Sequence, residues 1–249
     1  MILQASASSD VGLRRRVNED RYALAHDLGL FVVADGMGGH RAGQVASQLA
    51  AETAIRTSRA MQGAEASPSE KLRQILRYAN HQIFVTAQAQ PELSGMGTTL
   101  VALLAVEGRV GLVHCGDSRA YLIRGGQIRC LTSDHSLVGE LLRRQEISEA
   151  AAREHPHRHV LTRALGVRPQ VEGDYVEMTP QDGDVFALCS DGLTNLVKDE
   201  EIASAIVRDR NLQDACDGLV AWANERGGDD NITVVLVRCE RAGAPLAPI

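Results

Sequence analysis

Three short apolar runs in this chain end in an aspartate. Leu30-Phe31-Val32-Val33-Ala34 leads into Asp35-Gly36, Val110 to Gly116 leads into Asp117, and Val185 to Ser190 leads into Asp191-Gly192. Asp229-Asp230-Asn231 puts the same group just before the β-branched run Ile232 to Val237, and Glu19-Asp20 precedes another apolar segment. Apolar runs of this length, bounded by Gly and Asp, read as buried strands. A single Asp-Gly at a strand end is an ordinary turn. The whole set, held on rigid elements and brought to one point, is tolerated only with cations between the charges. Carboxylates without His or Cys partners select hard cations such as Mg²⁺ or Mn²⁺. The chain has no H-E-x-x-H string and no grouped Cys/His ligands, which disfavours zinc.

The remaining pattern alternates in blocks. Ala42 to Met61 is Ala-rich with helical spacing, and a second helix opens at Ser69 with apolar positions at Leu72, Ile75, Leu76, Ala79 and Ile83. Gln62 to Ser69 is the loop between them, so the two pair as a hairpin. Strand-like stretches follow at Thr98–Val106, Arg109–Cys115, Ala120–Arg124 and Gln127–Leu131, with Gly125-Gly126 as a hairpin turn. Val185–Cys189 is a later strand. Helices at Asp199–Arg208 and Leu212–Glu225 precede the closing strand Ile232–Arg238. Helices placed early and late around a meander of strands predict stacked sheets with helices outside, an α+β layered fold. No repeat or long linker interrupts the pattern. We read one domain over 1–249, with a frayed Pro/Gly/Ala-rich tail over 242–249.

Charge and composition narrow the partners. Lys plus Arg is 26 against 32 Asp plus Glu, a net charge of −6. That balance disfavours a nucleic-acid track, and Arg14-Arg15-Arg16 without interleaved aromatics does not supply one. No run approaches the ~20 apolar residues of a membrane span. The opening MILQASASSD has neither the basic region nor the apolar core of a secretory signal. The five cysteines form no C-x-x-C pair and read as small buried hydrophobes of a reducing cytoplasm.

Asp35-Gly36-Met37-Gly38-Gly39-His40 places three glycines between two polar side chains, so a ligand or metal can approach the backbone. Together with Gly12-x-x-Arg15-x-x-Asn18-Glu19-Asp20, GMGTT at 95–99, CGDSRAY at 115–121, TSDHS at 132–136, LTRALG at 161–166, SDGL at 190–193 and DDNITV at 229–234, this ordered set resembles the metal-dependent protein phosphatases of type 2C (the PPM family), in their compact bacterial form. The resemblance runs from Asp10 to about Val237. It implies a central β-sandwich of two antiparallel sheets flanked by helix pairs on both faces, a four-layer αββα fold.

The resemblance also implies roles. Asp35 matches a carboxylate bridging two Mn²⁺ or Mg²⁺ ions, and Asp191 and Asp230 the other ligands of the first ion. Glu19 and the carbonyl of Gly36 match the second ion's surroundings, and Asp20 an acid holding one of its waters. Asp117, with Asp191, matches the acids that recruit a weaker third ion. Arg15 matches the arginine that grips the substrate phosphate. The implied reaction hydrolyses phosphoserine and phosphothreonine by direct attack of a metal-bridging water, and no C-x₅-R thiol motif competes with it. Met37 stands where many eukaryotic relatives have a proton-donating histidine. His40 is the candidate acid here, with a metal-bound water as the alternative. The segment from about 133 to 163 corresponds to the family's flap, and GELLRRQEISEAAARE within it reads as a solvated surface helix. His135 and His155 read as structural or loop residues, and the alternation of His155, His157 and His159 is weighed and set aside as a metal tract. The expected partners are phosphorylated proteins and a cognate Ser/Thr kinase, with no nucleic acid, no membrane and a monomeric chain. A phosphatase dedicated to one regulatory partner is the alternative. A pseudophosphatase is disfavoured because every matched acid is present, and a metallonuclease by the acidic balance.

Overall fold

The computed structural model describes residues 1–38, 41–209 and 211–240. Its strands in chain order are β1 (Ile2–Asp10), β2 (Arg21–Ala25), β3 (Leu30–Ala34), β4 (Gly36–Met37), β5 (Gly97–Thr98), β6 (Leu100–Val106), β7 (Arg109–Cys115), β8 (Arg119–Arg124), β9 (Gln127–Cys130), β10 (Asp174–Met178), β11 (Val185–Cys189) and β12 (Ile232–Glu240). The helices are α1 (Arg41–Ala60), α2 (Pro68–Ala89), α3 (Leu137–Arg143), α4 (Glu149–Arg153), α5 (Asp191–Thr194), α6 (Asp199–Arg208) and α7 (Leu212–Glu225).

Two five-stranded sheets form the centre, in the orders β1-β12-β11-β8-β9 and β10-β7-β6-β3-β2, and every pairing within them is antiparallel. Side chains alternate across each strand, so both faces can be followed residue by residue. Phe31 and Val33 of β3 meet Phe186 and Leu188 of β11 and Val235 of β12 between the sheets. Leu30 and Val32 face outward onto Ala46, Ala50 and Ala54 of α1 and Leu72, Ile75 and Ile83 of α2. Val185, Ala187 and Cys189 of β11 face the opposite way, onto Ile202 and Ile206 of α6 and Ala215 and Leu219 of α7. The order of layers is therefore helix, sheet, sheet, helix, as expected. It also explains why β3 and β11 are apolar without interruption. Both faces are covered, so neither can be polar.

Local chemistry sets the element ends. The second helix starts at Pro68, one residue earlier than Ser69, and is capped by Ser67. Ser67 accepts from Glu70 N–H at 3.2 Å while the Glu70 carboxylate accepts from Ser67 N–H at 2.8 Å, and Pro68 fits the first turn because it has no N–H to lose. Gly125 and Gly126 adopt φ of +56° and +80°, the left-handed pair a tight hairpin needs. β1 and β10 were not anticipated. Ile2–Asp10 alternates weakly through Ala and Ser, and Asp174–Met178 is a half-buried edge strand, so neither carries an apolar run. The single surface helix expected over GELLRRQEISEAAARE is two helices, α3 and α4. Gln145 turns back at φ +58°, and Ser148 recaps the chain by accepting from Ala151 N–H at 3.3 Å. All five cysteines are free, and all but the exposed Cys130 are buried as expected. The 242–249 tail lies outside the described residues. Among the described residues no helix is long and apolar enough to cross a membrane.

Candidate metal centre

The acids collect at one end of the sandwich, Glu19 and Asp20 from one segment and each of the others from a different one. Asp35 follows β3 and is held by its own backbone. Its N–H donates to Thr99 Oγ1 at 2.9 Å, and its carbonyl accepts from Thr98 Oγ1 and Thr99 N–H, both at 2.8 Å. Asp191 opens α5, directly after Ser190. Ser190 Oγ donates to Asp20 Oδ2 at 2.7 Å and accepts from Thr233 N–H at 3.0 Å, tying β11, β12 and the Glu19-Asp20 segment together. Asn231 completes the frame. Its Oδ1 accepts from Glu19 N–H at 2.8 Å, and its Nδ2 donates to the carbonyls of Val11 and Val17 at 2.9 and 3.0 Å. Thr98, Thr99, Ser190 and Asn231 lie inside the matched motifs, yet their purpose as scaffolding for the acids shows only in the fold.

Close backbone approach is part of this frame. A Cβ on Gly36 would run into Gly43 O and come within 2.7 Å of Glu19 O, and one on Gly43 would lie 2.7 Å from Glu19 Oε1. Both glycines leave room for the Glu19 carboxylate beside the Gly36 backbone. Ser47 Oγ donates to Glu19 O and fixes that segment of the frame to α1.

The side chains then face one another. Burial raises Asp20 to about 7, with Asp191 and Asp230 pushing the same way against hydrogen bonds from Thr233 and Ser190. Asp35 is pushed well above the ordinary carboxylate range, first by burial and then by the charges of Asp20, Asp191, Asp117 and Asp230. Asp117 is raised well above that range by burial and by Asp191 and Asp134. Asp191 is raised by burial and Asp230, partly offset by the charge of His159 and by hydrogen bonds with Asn195 and Asp35. Ionising all of these closely set carboxyls together is costly. Asp20 Oδ1 and Asp191 Oδ1 are buried with no hydrogen-bond partner. Buried acceptors are normally satisfied, and hard oxygen donors left open in this way fit a divalent cation.

Arg15 closes the outer side. The loop carrying it is pinned where Leu13 N–H donates to Gly228 O at 2.7 Å, and Gly12 at φ +78° passes so close to Asp230 O that no Cβ would fit. Arg15 Nη2 lies 2.7 Å from Asp230 Oδ2, and the guanidinium is half exposed. Partial burial lowers its pKa, but the hydrogen bond and charge of Asp230, with Glu19 and Asp35, outweigh this and raise it. Arg15, Glu19, Asp20, Asp35, Gly36, Asp117, Asp191 and Asp230 thus share one end of the molecule. His40 lies outside the described residues. His155 and His157 sit in the exposed loop after α4, their rings 5.7 Å apart and tilted.

Comparison with known proteins identifies the family. Residues 14–234 match the family model described as protein phosphatase 2C. The serine/threonine phosphatase Stp of Listeria welshimeri is 42% identical over 241 residues, covering 94% of this chain and 95% of that protein. Protein phosphatase PhpP of Streptococcus pneumoniae is 36% identical, covering 94% and 97%. The crystal structure of the Mycobacterium tuberculosis serine/threonine phosphatase PstP/Ppp superposes with a TM-score of 0.90 at 37% identity, over 97% of this chain and 100% of that one. A structure of the catalytic domain of PstP in complex with two manganese ions gives a TM-score of 0.88 at 36% identity, over 96% and 99%. With matches this extensive in both sequence and fold, the chain belongs to the protein phosphatase 2C family.

Proposed function

We propose that this chain is a protein serine/threonine phosphatase whose clustered acids hold two divalent cations, Mn²⁺ or Mg²⁺, with a weaker third. One observation carries the reading. Asp20 is buried, Asp35, Asp117 and Asp191 are half-buried beside it, and all four are shifted toward holding their protons, an arrangement that is costly for a fold and apt for a cation site. Asp35 would be shared between the two ions, Asp191 and Asp230 would complete the first, and Glu19 with the Gly36 carbonyl would serve the second. Asp20 stands behind them, held by Ser190. Asp117 and Asp191 would take the third. When bound, the ions supply a water nucleophile acidified to the neutral range and offset the charge of the phosphoryl oxygens.

The chain's own residues do the rest. Arg15 already presents its guanidinium to a carboxylate at 2.7 Å, and a phosphoryl group offers the same paired oxygens. A substrate phosphate would take the place of Asp230 as the partner of Arg15, and Asp230 would then be open to hold a cation. Thr98 and Thr99 hold Asp35 from its backbone, so its carboxylate stays aimed without consuming its own oxygens. His40 is our candidate for returning a proton to the departing serine or threonine oxygen. The segment from 133 to 163 is taken as a flap that selects the substrate. We further propose that the chain works as a cytoplasmic monomer and opposes a Ser/Thr kinase.

The direct test is phosphate release from phosphoserine, phosphothreonine and phosphotyrosine peptides, with and without Mn²⁺. The expected result is Mn²⁺-dependent release from the first two that stops on chelation. No release with Mn²⁺, or equal release in chelator, would overturn the reading.

A further inference from the structure

His114, His135 and Asp174 lie apart from the acids already assigned, and their ligand atoms fall within 4.8 Å of one another. The set invites a second metal site, and the ring geometry removes it. The two imidazoles are stacked, with centroids 4.5 Å apart and planes 15° from parallel. Nitrogen lone pairs lie in the ring planes, so nearly parallel rings share no point at the ~2.1 Å a metal–imidazole bond requires. A cation is also already present, with Arg163 Nη1 3.1 Å from Asp174 Oδ1.

His135 instead grips a single residue of the acid scaffold. Its N–H donates to Gly116 O at 2.9 Å, and Gly116 N–H donates back to His135 Nδ1 at 3.2 Å. Both backbone polar groups of Gly116 are thus held by one side chain and its backbone, and Asp117 follows directly. Gly116 sits at φ +113°, where a Cβ would meet Thr99 Cγ2 at 2.6 Å, so the chain has little freedom here. With Nδ1 accepting from Gly116, Nε2 faces Asp174 Oδ2 at 3.2 Å and Arg163 Nη1 at 3.3 Å. The ring is only 2% exposed. The two roots of the 133–163 segment meet at the same place. Thr162 N–H donates to His135 O at 2.8 Å, Leu137 N–H donates to Val160 O at 2.8 Å, and His114 Nε2 lies 3.0 Å from Ser133 O.

We propose that His135 is a positioning residue. Oriented by Asp174, it fixes Gly116 and hence the Asp117 carboxylate, and it couples that carboxylate to the roots of the flap. The proposal rests on the reading of Asp117 as the acid that recruits the weakest ion. It assigns no metal to His135 and no contact with substrate.

Two readouts on the full chain test it. The first is amide hydrogen exchange at Gly116 in metal-free protein, comparing wild type, His135→Ala and His135→Asn. Asn can place an oxygen where Nδ1 was. Exchange should quicken at least about 10-fold in His135→Ala and return toward wild type in His135→Asn. The second is Mn²⁺ titration by calorimetry. His135→Ala should weaken the weakest Mn²⁺ class by about 10-fold, the usual scale for losing a residue that orients a ligand, and leave tighter binding unchanged. Adding His135→Ala to Asp117→Ala should weaken nothing further. Wild-type exchange at Gly116, or Mn²⁺ affinities unchanged in His135→Ala, would overturn the proposal. If Asp117→Ala itself leaves every Mn²⁺ affinity unchanged, the proposal falls with the Asp117 assignment, while Asp35 and Asp191 stand or fall by their own variants. Should His135→Ala not fold, Asp174→Ala replaces it, because that side chain is 51% exposed and its loss leaves no cavity. Its expected effect has the same sign in both readouts, and no change in either would equally overturn the proposal.

Discussion

The middle of the sandwich and its acidic end are built from the same strands and obey opposite rules. Phe31 and Phe186 meet between the sheets with no exposure at all. A few residues further along β3 and β11, Asp35 and Asp191 are pressed together with Asp20 and Asp117 until burial and mutual repulsion hold protons on them. The first region stabilises the fold. The second draws on that stability, and the shortfall is what a divalent cation relieves. Function is therefore concentrated where the fold is least content with itself.

The sharpest way to break this contrast is to exchange the two outcomes. Phe186→Ala should cost about 3–5 kcal/mol in chemical denaturation, through lost burial and the cavity left behind. Per-molecule turnover of whatever remains folded should change little. Asp35→Asn should do the reverse. Turnover of p-nitrophenyl phosphate and phosphopeptides should fall by about 10²–10³-fold or more, the scale for losing one preorganised charge. Its metal-free unfolding temperature at pH 7.5 should rise, because Asn neither brings a charge into the cluster nor has to take up a proton on folding. A Phe186 variant dead while folded, or an Asp35 variant with near-normal rates, would erase the distinction.

Smaller effects sharpen it. His40→Ala should slow phosphopeptides by about 10²-fold, a typical contribution of general acid catalysis, and barely touch p-nitrophenyl phosphate, whose leaving group needs no proton. Equal slowing of both substrates would remove His40 as the acid. Arg15→Ala should raise KM by about 10-fold with a smaller change in kcat, the loss of one charge-assisted contact. An unchanged KM would count against phosphate contact. The smallest effect is on the metal-free protein alone. The folded carboxyls titrate above their unfolded values, Asp20 near 7. The folded state therefore holds extra protons between about pH 4 and 7, and stability falls as pH rises through that window. Metal-free protein should lose about 5–10 °C in Tm from pH 5 to pH 7.5, and Mn²⁺ should restore it. A Tm that rises with pH in chelator would contradict the mutual repulsion.

Much of this was legible in the residues themselves. Strand ends are readable where an apolar run stops at Asp-Gly, which is why Asp35 and Asp191 stood out before any fold was known. The covering of both faces of β3 was implicit in Leu30-Phe31-Val32-Val33. What could not be read was pairing at long range. β1 lies beside β12 with Asp10 opposite Ile232, and no local pattern says that the first strand joins the last. Nor do Asn231 and Ser190 announce themselves, since an amide or hydroxyl in a loop is commonplace until its partners are known. His135 read as a loop residue for the same reason. Its grip on Gly116 spans 19 residues of sequence and depends on a turn that only glycine makes.

The central claim is that the gathered acids are a cation site. Anomalous diffraction from a crystal soaked in Mn²⁺ tests it most directly. The account predicts two strong peaks around Asp35, one toward Asp191 and Asp230 and one toward Glu19 and the Gly36 carbonyl. No peak at that end of the sandwich, with the carboxylates paired to protein groups alone, would contradict it.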